Sequence, residues 1–259
     1  MDFMEFKDKA AKLLNLNLDG YKLKRVKRRT NSLMRRHDID DYEECLELLE
    51  HDRDFKAAYM NHFTINTSEF FRNPDSFEYL QENLLPEIFS EKNKVNIWSA
   101  PCSDGSEPYT IAIILKELGI DKNRFSILAS DIDPEILEVA SQGQYPKKAL
   151  ENMDDDLIDK YFNPIKKEDN QYRLSPRIKN LVEFERKDLI NERYSSNWDL
   201  IMSRNFFIYL TKELKGELTE KFVSSLKPGG YLFLGNTEFI FNPAQYDLEK
   251  IHLSFYRKK

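Results

Sequence analysis

The stretch Ile97-Trp98-Ser99-Ala100-Pro101-Cys102-Ser103-Asp104-Gly105-Ser106-Glu107-Pro108-Tyr109 decides the fold of this chain. Its apolar start predicts a strand, its middle a tight loop, and the run Tyr109–Leu118 an apolar helix. A second strand is expected over Phe125–Ser130, and Asp131 follows it directly. Strand, loop, helix and strand in this order form a βαβ unit, which indicates an α/β protein.

The two ends of this unit indicate a nucleoside site. A carboxylate that closes the second strand, here Asp131, can accept hydrogen bonds from both hydroxyls of a ribose. The loop contains one glycine, Gly105, so it lacks the G-x-G-x-x-G pattern that brings bare backbone close to a pyrophosphate. S-adenosylmethionine has no pyrophosphate, and we favour it over a dinucleotide. By spacing alone, an ordinary strand–helix turn with a solvated aspartate is equally compatible.

Composition agrees with a soluble enzyme. A chain of 259 residues with 41% hydrophobic content can bury one large domain and one small one. No apolar run approaches the ~20 residues of a membrane span, and the first residues do not read as a signal peptide. Cys45 and Cys102 lie far apart, and no His/Cys pair has metal-ligand spacing. We therefore expect reduced thiols, a cytoplasmic location, no membrane insertion and no metal.

The chain predicts two domains. Apolar residues at helical spacing, without a strand signal, predict an all-helical domain over residues 1–85. Residues 86–259 should form the α/β domain, with 161–185 as a small β-subdomain and an alternating edge strand over 251–257. Asp133 precedes a proline and a glutamate, which favours a helix N-cap over a ligand.

Residues 22–36 are strongly basic in a chain whose net charge is −6. Eight of these fifteen residues are Lys or Arg, and none is acidic. Leu23, Val26, Thr30 and Leu33 have helical spacing, so one side should pack on the domain. The other side is either an ordinary solvated face or a surface that attracts an acidic partner.

Five segments, in this order, resemble the CheR family, the chemotaxis receptor methyltransferases that esterify glutamate side chains using S-adenosylmethionine. The resemblance extends from about residue 15 to about residue 240, with all five motifs in register. The segments are Asn66-Thr67-Ser68-Glu69-Phe70-Phe71-Arg72-Asn73, the Trp98–Tyr109 loop, Ala129-Ser130-Asp131-Ile132-Asp133, Ser203-Arg204-Asn205 with Ile208-Tyr209, and Leu226-Lys227-Pro228-Gly229-Gly230-Tyr231-Leu232-Phe233-Leu234-Gly235.

The resemblance implies a fold, a cofactor and partners. The fold is a class I S-adenosylmethionine-dependent methyltransferase, a Rossmann-like doubly wound sheet, with a small all-helical N-terminal domain and a short β appendage. The cofactor is S-adenosyl-L-methionine, with S-adenosyl-L-homocysteine as product. The partner is the cytoplasmic domain of methyl-accepting chemoreceptors, with no nucleic acid, and we expect a monomer. The β appendage is short, charged and without glycine, so we expect an enzyme that is not tethered to a receptor C-terminal pentapeptide.

The resemblance also implies site residues at the matched positions. Arg72 is the candidate for holding the substrate carboxylate, and the basic residues Arg28, Arg29 and Arg35 are candidates for binding the receptor. Serine replaces the family's threonine at Ser68, Ser106 replaces the first glutamate of the G-E-E-P-Y motif, and Asp188 replaces an asparagine. The implied cofactor-binding residues are Asn66, Ser68, Arg72, Glu107, Asp131, Asp188, Leu189 and Asn205.

Two other functions are compatible with the sequence. The basic stretch would also serve an RNA methyltransferase. The departures at Ser106 and Asp188 leave room for a degenerate module that binds receptors or senses S-adenosylmethionine without catalysis. Retention of Arg72, Glu107, Asp131 and Asn205 favours an enzyme. Tyr209 fits a place in the site and a structural role equally well.

Overall fold

The computed structural model describes residues 1–64, 68–166 and 170–259. Contacts divide the chain into two compact units, Met1–Asn66 with Ile208–Glu217, and Thr67–Phe207 with Leu218–Lys259. The division falls before the predicted boundary at residue 85. The reason is that Phe77, Leu80 and Leu84 are buried in the hydrophobic core of the second unit.

The first unit is helical, as predicted. In its described part the helices are α1 (Phe3–Leu14), α2 (Leu23–Arg36), α3 (Tyr42–His51) and α4 (Arg53–Thr64). Asp2 and Asp41 cap α1 and α3 by accepting from the backbone N–H groups of Glu5 and Glu44. Phe6, with no exposed surface, stacks on Tyr42 at 5.2 Å between ring centroids and joins these two helices.

The segment Ile208–Glu217 belongs to this unit through its contacts with residues 20–25. Tyr21 and Leu210 form an antiparallel bridge, and the Lys22 backbone N–H donates to the Tyr209 carbonyl at 3.0 Å. The Arg25 guanidinium lies 4.2 Å from the centre of the Tyr209 ring. These contacts give Tyr209 a structural role.

The second unit contains a large mixed sheet, a small sheet and helices. The helices are α5 (Pro74–Tyr79), α6 (Leu85–Glu91), α7 (Ser106–Glu117), α8 (Pro134–Gln142), α9 (Asp155–Tyr161), α10 (Pro176–Lys179) and α11 (Lys212–Ser225). The strands are β1 (Val95–Ser99), β2 (Phe125–Asp131), β3 (Gln144–Pro146), β4 (Phe162–Lys166), β5 (Gln171–Leu174), β6 (Val182–Arg186), β7 (Trp198–Ser203), β8 (Leu226–Leu234), β9 (Leu248–His252) and β10 (Phe255–Lys258). A π-helical turn, Leu80–Leu84, joins α5 to α6, and α11 continues from the first unit into the second.

The strand order of the large sheet is β6-β2-β1-β7-β8-β10-β9. The first five strands pair in parallel, and β10 runs antiparallel to β8. All six residues of β7 are buried, as expected for a central strand covered on both faces. This arrangement confirms the predicted α/β class.

Two strand predictions need correction. The stretch 251–257 is not one edge strand, because a turn at Leu253–Ser254 divides it between β9 and β10. The predicted β-subdomain over 161–185 is also composed differently. Val182–Arg186 pairs in parallel with β2 and therefore belongs to the large sheet. Gln144–Pro146, which lies outside the predicted range, supplies a strand of the small sheet.

The small sheet has the order β3-β5-β4. Both outer strands contain a proline, Pro146 in β3 and Pro164 in β4. Proline lacks the N–H that an added strand would pair with, so such edges resist strand addition.

Candidate functional site

The residues matched to the family lie near the switch point of the sheet, where the order in which the chain adds parallel strands reverses. From β1 the chain continues to β2 on one side, while β7 continues to β8 on the other. In such sheets ligands bind at the carboxyl ends of the two strands that flank this switch point. The carboxyl ends here are Ser99 and Ser203, and the Ala100 N–H donates to the Met202 carbonyl at 2.8 Å between them.

The loop from β1 to α7 is held in a fixed shape. Gly105 has a φ of +84°, and a Cβ there would lie 3.0 Å from the Cβ of Ala140, so a larger residue would be strained and crowded. Tyr145 of β3 donates its hydroxyl to the Asp104 carbonyl at 2.7 Å. The loop is therefore supported from the small sheet and is preorganised for a ligand.

Asp131 lies at the end of β2 with 4% of its surface exposed. Its carboxylate accepts the backbone N–H groups of Ser103 at 2.9 Å and Asp133 at 3.1 Å. Burial raises the pKa of Asp131 to about 6, although these hydrogen bonds oppose the shift. Among the described residues it makes no salt bridge. A buried carboxylate held by neutral donors suits hydroxyl groups of a ligand.

Asp133 has the role expected from the sequence. Its side chain accepts the backbone N–H groups of Glu135 and Ile136 at the start of α8, at 3.0 and 3.4 Å. The predicted N-cap is confirmed.

Glu107 is buried in the first turn of α7 beside Arg204. Its Oε1 accepts the Ser99 hydroxyl at 2.7 Å, and its Oε2 lies 3.4 Å from Arg204 Nη1. Burial raises the pKa of Glu107, and the Arg204 guanidinium opposes that shift. The long 3.4 Å contact leaves the carboxylate with capacity for a further donor, such as an ammonium group.

Arg204 is the main residue that sequence reasoning missed. Its Nη2 donates to the Arg72 carbonyl and to Asn73 Oδ1, and its Cζ lies 4.8 Å from the ring centres of Phe77 and Phe233. Burial lowers the pKa of Arg204, and the charge of Glu107 opposes this shift. The signal was present, because an arginine directly after a buried strand needs an acidic partner.

The Arg204 contacts fix the Arg72 segment. Phe71 and Asn73 both have left-handed backbone conformations, with φ of +50° and +64°. Such angles are uncommon outside glycine and persist where surrounding contacts hold them. Arg72 itself is half-buried, and the position of its carbonyl is set by Arg204.

Asn205 follows Arg204 with a φ of +59° and is held by a second buried acid, Glu238. One oxygen of Glu238 accepts the backbone N–H groups of Asn205 at 2.7 Å and Gly235 at 2.8 Å. A Cβ at Gly235 would lie 2.7 Å from that oxygen and 3.0 Å from the Asn205 nitrogen, so only glycine fits. Glu238 was also missed, since nothing local in the sequence places it beside β7.

Asp188 and Leu189 follow the end of β6, the strand that pairs with β2, and the residue before them contacts Asp131. The Lys187 N–H donates to the Asp131 carbonyl at 2.8 Å. The Asp188 carboxylate accepts the backbone N–H groups of Ile190 and Asn191, at 2.8 and 3.1 Å, so it shapes its own turn. Leu189 is buried at this place.

The remaining candidates are distributed as follows. Asn66 lies outside the described residues, and Ser68 is half-buried just before Arg72. Phe70 is fully buried, with Tyr145 and Phe162 edge-on at 4.8 and 5.1 Å, so it belongs to the hydrophobic core.

On α2 the predicted faces need two corrections. Leu23 is exposed, and Met34 is buried in its place beside Val26, Thr30 and Leu33. Arg28 and Arg35 are exposed, but Arg29 is half-buried, and burial lowers its pKa. Arg29 lies three residues after Val26 and four before Leu33, on the buried side of the helix, so it does not belong to the solvent-facing set.

The described residues fit S-adenosylmethionine. Ser103 Oγ and Ser203 Oγ are buried without a hydrogen-bond partner, and both lie in segments that border the switch point. Buried hydroxyls without a partner are rare in folded proteins and indicate a place where a polar ligand completes the bonding. Together with Asp131 and Glu107 they would offer the ligand both acceptors and donors.

The described part of the chain contains neither a metal-binding cluster nor a membrane-spanning helix. No group of three His, Cys, Asp or Glu side chains within those residues could hold a metal ion. No helix in the same residues has the length and apolar character needed to cross a membrane. Cys45 and Cys102 are buried free thiols, and burial raises the pKa of both.

Comparison with known proteins agrees with this geometry. Residues 1–64 match the all-alpha domain, and residues 66–255 the SAM binding domain, of CheR methyltransferases. The chain is 34% identical over 258 residues to a chemotaxis protein methyltransferase of Listeria innocua, covering 99% of this chain and 97% of that protein. It is 31% identical over 272 residues to one of Borreliella burgdorferi, covering 97% and 94%. The matched SAM binding domain confirms the predicted cofactor.

Proposed function

This chain belongs to the CheR methyltransferase family, and we propose that it transfers the methyl group of S-adenosylmethionine to glutamate side chains of chemoreceptor proteins. The products are glutamyl methyl esters and S-adenosyl-L-homocysteine. A role in chemotaxis follows from the names of the relatives, which match nearly the whole chain. The choice of a glutamate carboxylate as acceptor is our inference.

The observation that supports this acceptor concerns the described residues of the site, whose buried charged groups are placed for binding rather than as a free base. The buried groups Glu107, Arg204 and Glu238 are engaged with one another or with the backbone. A glutamate carboxylate is already ionised near pH 7, so it needs no base to become a nucleophile. S-adenosylmethionine supplies the transferable methyl on its sulfonium. The protein has to bind both reactants, exclude water and align them.

We assign the roles by charge. Asp131 would hold the ribose hydroxyls, and Glu107 the cofactor ammonium, because each is a buried acceptor at the switch point. Arg72 is assigned to the substrate carboxylate, since a guanidinium binds a carboxylate with two parallel hydrogen bonds. Arg204 contacts both Glu107 and the Arg72 backbone and so fixes their positions relative to each other. Leu189 and Asn205 would border the adenosine.

The departures from the family pattern have structural explanations. Ser106 is fully buried and donates its hydroxyl to Asp104 at 2.7 Å, so it closes the loop. Asp188 forms a turn with the backbone that follows it. Neither change removes a charge from the group formed by Glu107, Arg204 and Asp131. This supports an active enzyme over a degenerate binding module.

The prolines on both edges of the small sheet support an enzyme without a receptor tether. We propose that this chain acts on receptors in the cytoplasm as a monomer. Titration calorimetry with a receptor-tail pentapeptide should show no micromolar binding, and such binding would overturn this part of the proposal.

The function is tested with labelled S-adenosylmethionine and membranes that bear chemoreceptors. We expect label in receptor protein, and we expect mild alkali to release it as methanol, because esters hydrolyse in base. Label that resists alkali, or label that enters added RNA in preference to receptors, would contradict the proposal. The Asp131→Ala variant should show little transfer at low cofactor concentration.

A further inference from the structure

Three large apolar side chains lie exposed at the carboxyl end of β8. Phe239, Phe241 and Leu253 are 66%, 79% and 68% exposed, and we call them the apolar rim. Elsewhere in the described residues the exposed large apolar side chains are Met4, Leu23 and Val139, at 42–46%, on three separate helices. The rim is therefore a local concentration of the most exposed apolar surface.

Hydrogen bonds join the two segments that carry the rim. The Leu234 N–H at the end of β8 donates to the Ser254 carbonyl, next to Leu253, at 2.9 Å. The Ile240 N–H donates to the Tyr256 hydroxyl at 3.2 Å. Because Tyr256 lies on β10 and Ser254 in the turn before it, both segments belong to one end of the sheet.

The loop that presents the two phenylalanines is anchored on both sides of Phe239. The Glu238 side chain is buried and accepts from Asn205 and Gly235, while the Ile240 side chain is 8% exposed. Residues alternate inward and outward along this segment, so Phe239 and Phe241 face solvent from a fixed backbone. Rigid aromatic side chains lose little conformational entropy on binding. Exposed apolar patches of this kind mark interaction sites.

The loop that carries Phe239 is joined to the candidate site through the residue before it. Phe239 is adjacent to Glu238, whose carboxylate binds the backbone of Asn205, and Asn205 follows β7 at the switch point. A polypeptide whose glutamate enters that site must bring its neighbouring residues over the mouth of the site. Where that polypeptide is helical, side chains three or four positions away lie on the same face as the glutamate. Such side chains are the ones that can contact a surface beside the site.

We propose that the apolar rim docks the substrate polypeptide, through apolar side chains three or four positions from the methylated glutamate. This inference rests on the proposed function. The rim would then help to determine which glutamates are methylated. A glutamate whose neighbours on the same face are polar would gain no binding energy from Phe239 and Phe241. The proposed partner of the rim is the substrate polypeptide. Binding of a second copy of this chain or of a lipid surface at the rim would contradict the proposal.

The test compares two double variants by steady-state kinetics on a receptor cytoplasmic fragment. The Phe239→Ser/Phe241→Ser variant should raise KM for the fragment about tenfold, the change expected when apolar anchors are lost from an interface. Its kcat and its S-adenosylmethionine dissociation constant should stay within about twofold of the wild type. Met4→Ser/Val139→Ser removes two exposed apolar side chains elsewhere and should leave KM unchanged.

Two further measurements separate the rim from other causes. The Phe239→Leu/Phe241→Leu variant keeps apolar surface and should recover most of the affinity for the fragment, measured by titration calorimetry without cofactor. A receptor fragment with serine in place of the apolar residues three and four positions from the glutamate should bind wild type about as weakly as the Ser variant binds the normal fragment.

The outcomes are distinct. An unchanged KM in the Ser variant would overturn the rim proposal, and so would a KM rise that comes with an equal loss of cofactor affinity. If the Ser variant had an unchanged KM but altered sedimentation, the rim would be a self-association surface. If it had an unchanged KM but altered binding to lipid vesicles, the rim would be a membrane-binding surface. Both results would contradict our proposal. Failure of the wild type to methylate the fragment would instead contradict the proposed function itself.

Discussion

Arg204 Nη1 lies 3.4 Å from Glu107 Oε2, and both side chains are buried at the switch point of the sheet. The same guanidinium also donates to the Arg72 carbonyl. One residue thus sets the position of the acid assigned to the cofactor and of the segment assigned to the substrate. We assign Arg204 a positioning role, since it contacts both Glu107 and the Arg72 segment.

The Arg204→Met variant should be strongly destabilised. Methionine keeps the apolar contact with Phe77 and Phe233 but leaves the Glu107 charge buried and uncompensated. We expect the free energy of unfolding to fall by ~3–5 kcal/mol, measured by urea denaturation. Adding Glu107→Gln should recover part of this loss, because the second change removes the unpaired charge. Strictly additive effects would show that the two side chains do not interact.

The two aspartates that flank Ile132 should fail in different ways. Asp131→Ala should weaken S-adenosylmethionine binding by ~1.5–3 kcal/mol through loss of a charged hydrogen bond, measured by titration calorimetry. Asp133→Ala should lower the free energy of unfolding by ~1 kcal/mol through loss of the α8 cap. Reversed effects would mean that the ribose acid has been assigned to the wrong aspartate.

Cofactor affinity should depend on pH through Asp131. Burial raises its pKa to about 6 in the ligand-free protein, and ribose hydroxyls donate to the ionised carboxylate. Affinity should therefore weaken as the pH falls below about 6, with proton release on binding near that pH. Calorimetry in buffers of different ionisation enthalpy measures the protons, and Asp131→Asn should abolish the effect. A wild-type affinity that is flat from pH 7.5 to pH 5 would contradict this assignment.

The same shift predicts how stability depends on pH. The folded-state pKa of Asp131 lies above the unfolded value, so the folded state binds more protons between about pH 4 and pH 6. This residue's contribution to stability therefore falls as pH rises through that window and stays low above it. Denaturation of wild type and Asp131→Asn at pH 4.5 and pH 7 should show the variant gaining relative stability at pH 7.

Receptor methylation should depend on the exposed charges of α2. Reversing Arg28 and Arg35 to Glu should sharply lower the methylation rate, because a basic helix face steers an acidic partner. S-adenosylmethionine affinity should stay unchanged. Wild-type rate should also fall as salt rises from ~0.05 to ~0.5 M, where screening shortens to a few ångströms.

A matched control for this charge reversal is Lys94→Glu/Lys116→Glu, which changes the net charge equally at exposed positions of the second unit. It should leave the rate nearly unchanged. If both variants lost methylation rate equally, the cause would be the change in net charge and not the position of the charges on α2. Arg29 is best left in place, since its half-buried side chain makes any loss ambiguous.

Local sequence signals predicted the elements that carry Asp131 and Asp133. An apolar run that ends on an acid, followed by Asp-Pro-Glu, contains its own strand end and helix start. Glu107 and Arg72 came from the family resemblance, and the structure adds their contacts. Arg204 was passed over because its partners, Glu107 and the Arg72 carbonyl, are distant along the chain. Glu238 was missed for the same reason.

Strand pairing was less predictable than strand existence. Val182–Arg186 looks like its neighbours in the predicted appendage, but its partner is β2, and no local pattern selects a partner. The same limit explains the division of 251–257 by a turn. On α2, helical spacing predicted the buried positions Val26, Thr30 and Leu33 but not the exposure of Leu23, which lies at the helix start.

The most direct test of the central claim is to locate the methyl group on the acceptor. Purified receptor cytoplasmic domain, incubated with the protein and labelled S-adenosylmethionine, is digested and sequenced by mass spectrometry. We predict methyl esters on glutamate side chains, lost after mild alkali and absent from reactions with Asp131→Ala at low cofactor concentration. Methyl groups on lysine, arginine or added RNA, or no transfer to any glutamate, would contradict the account.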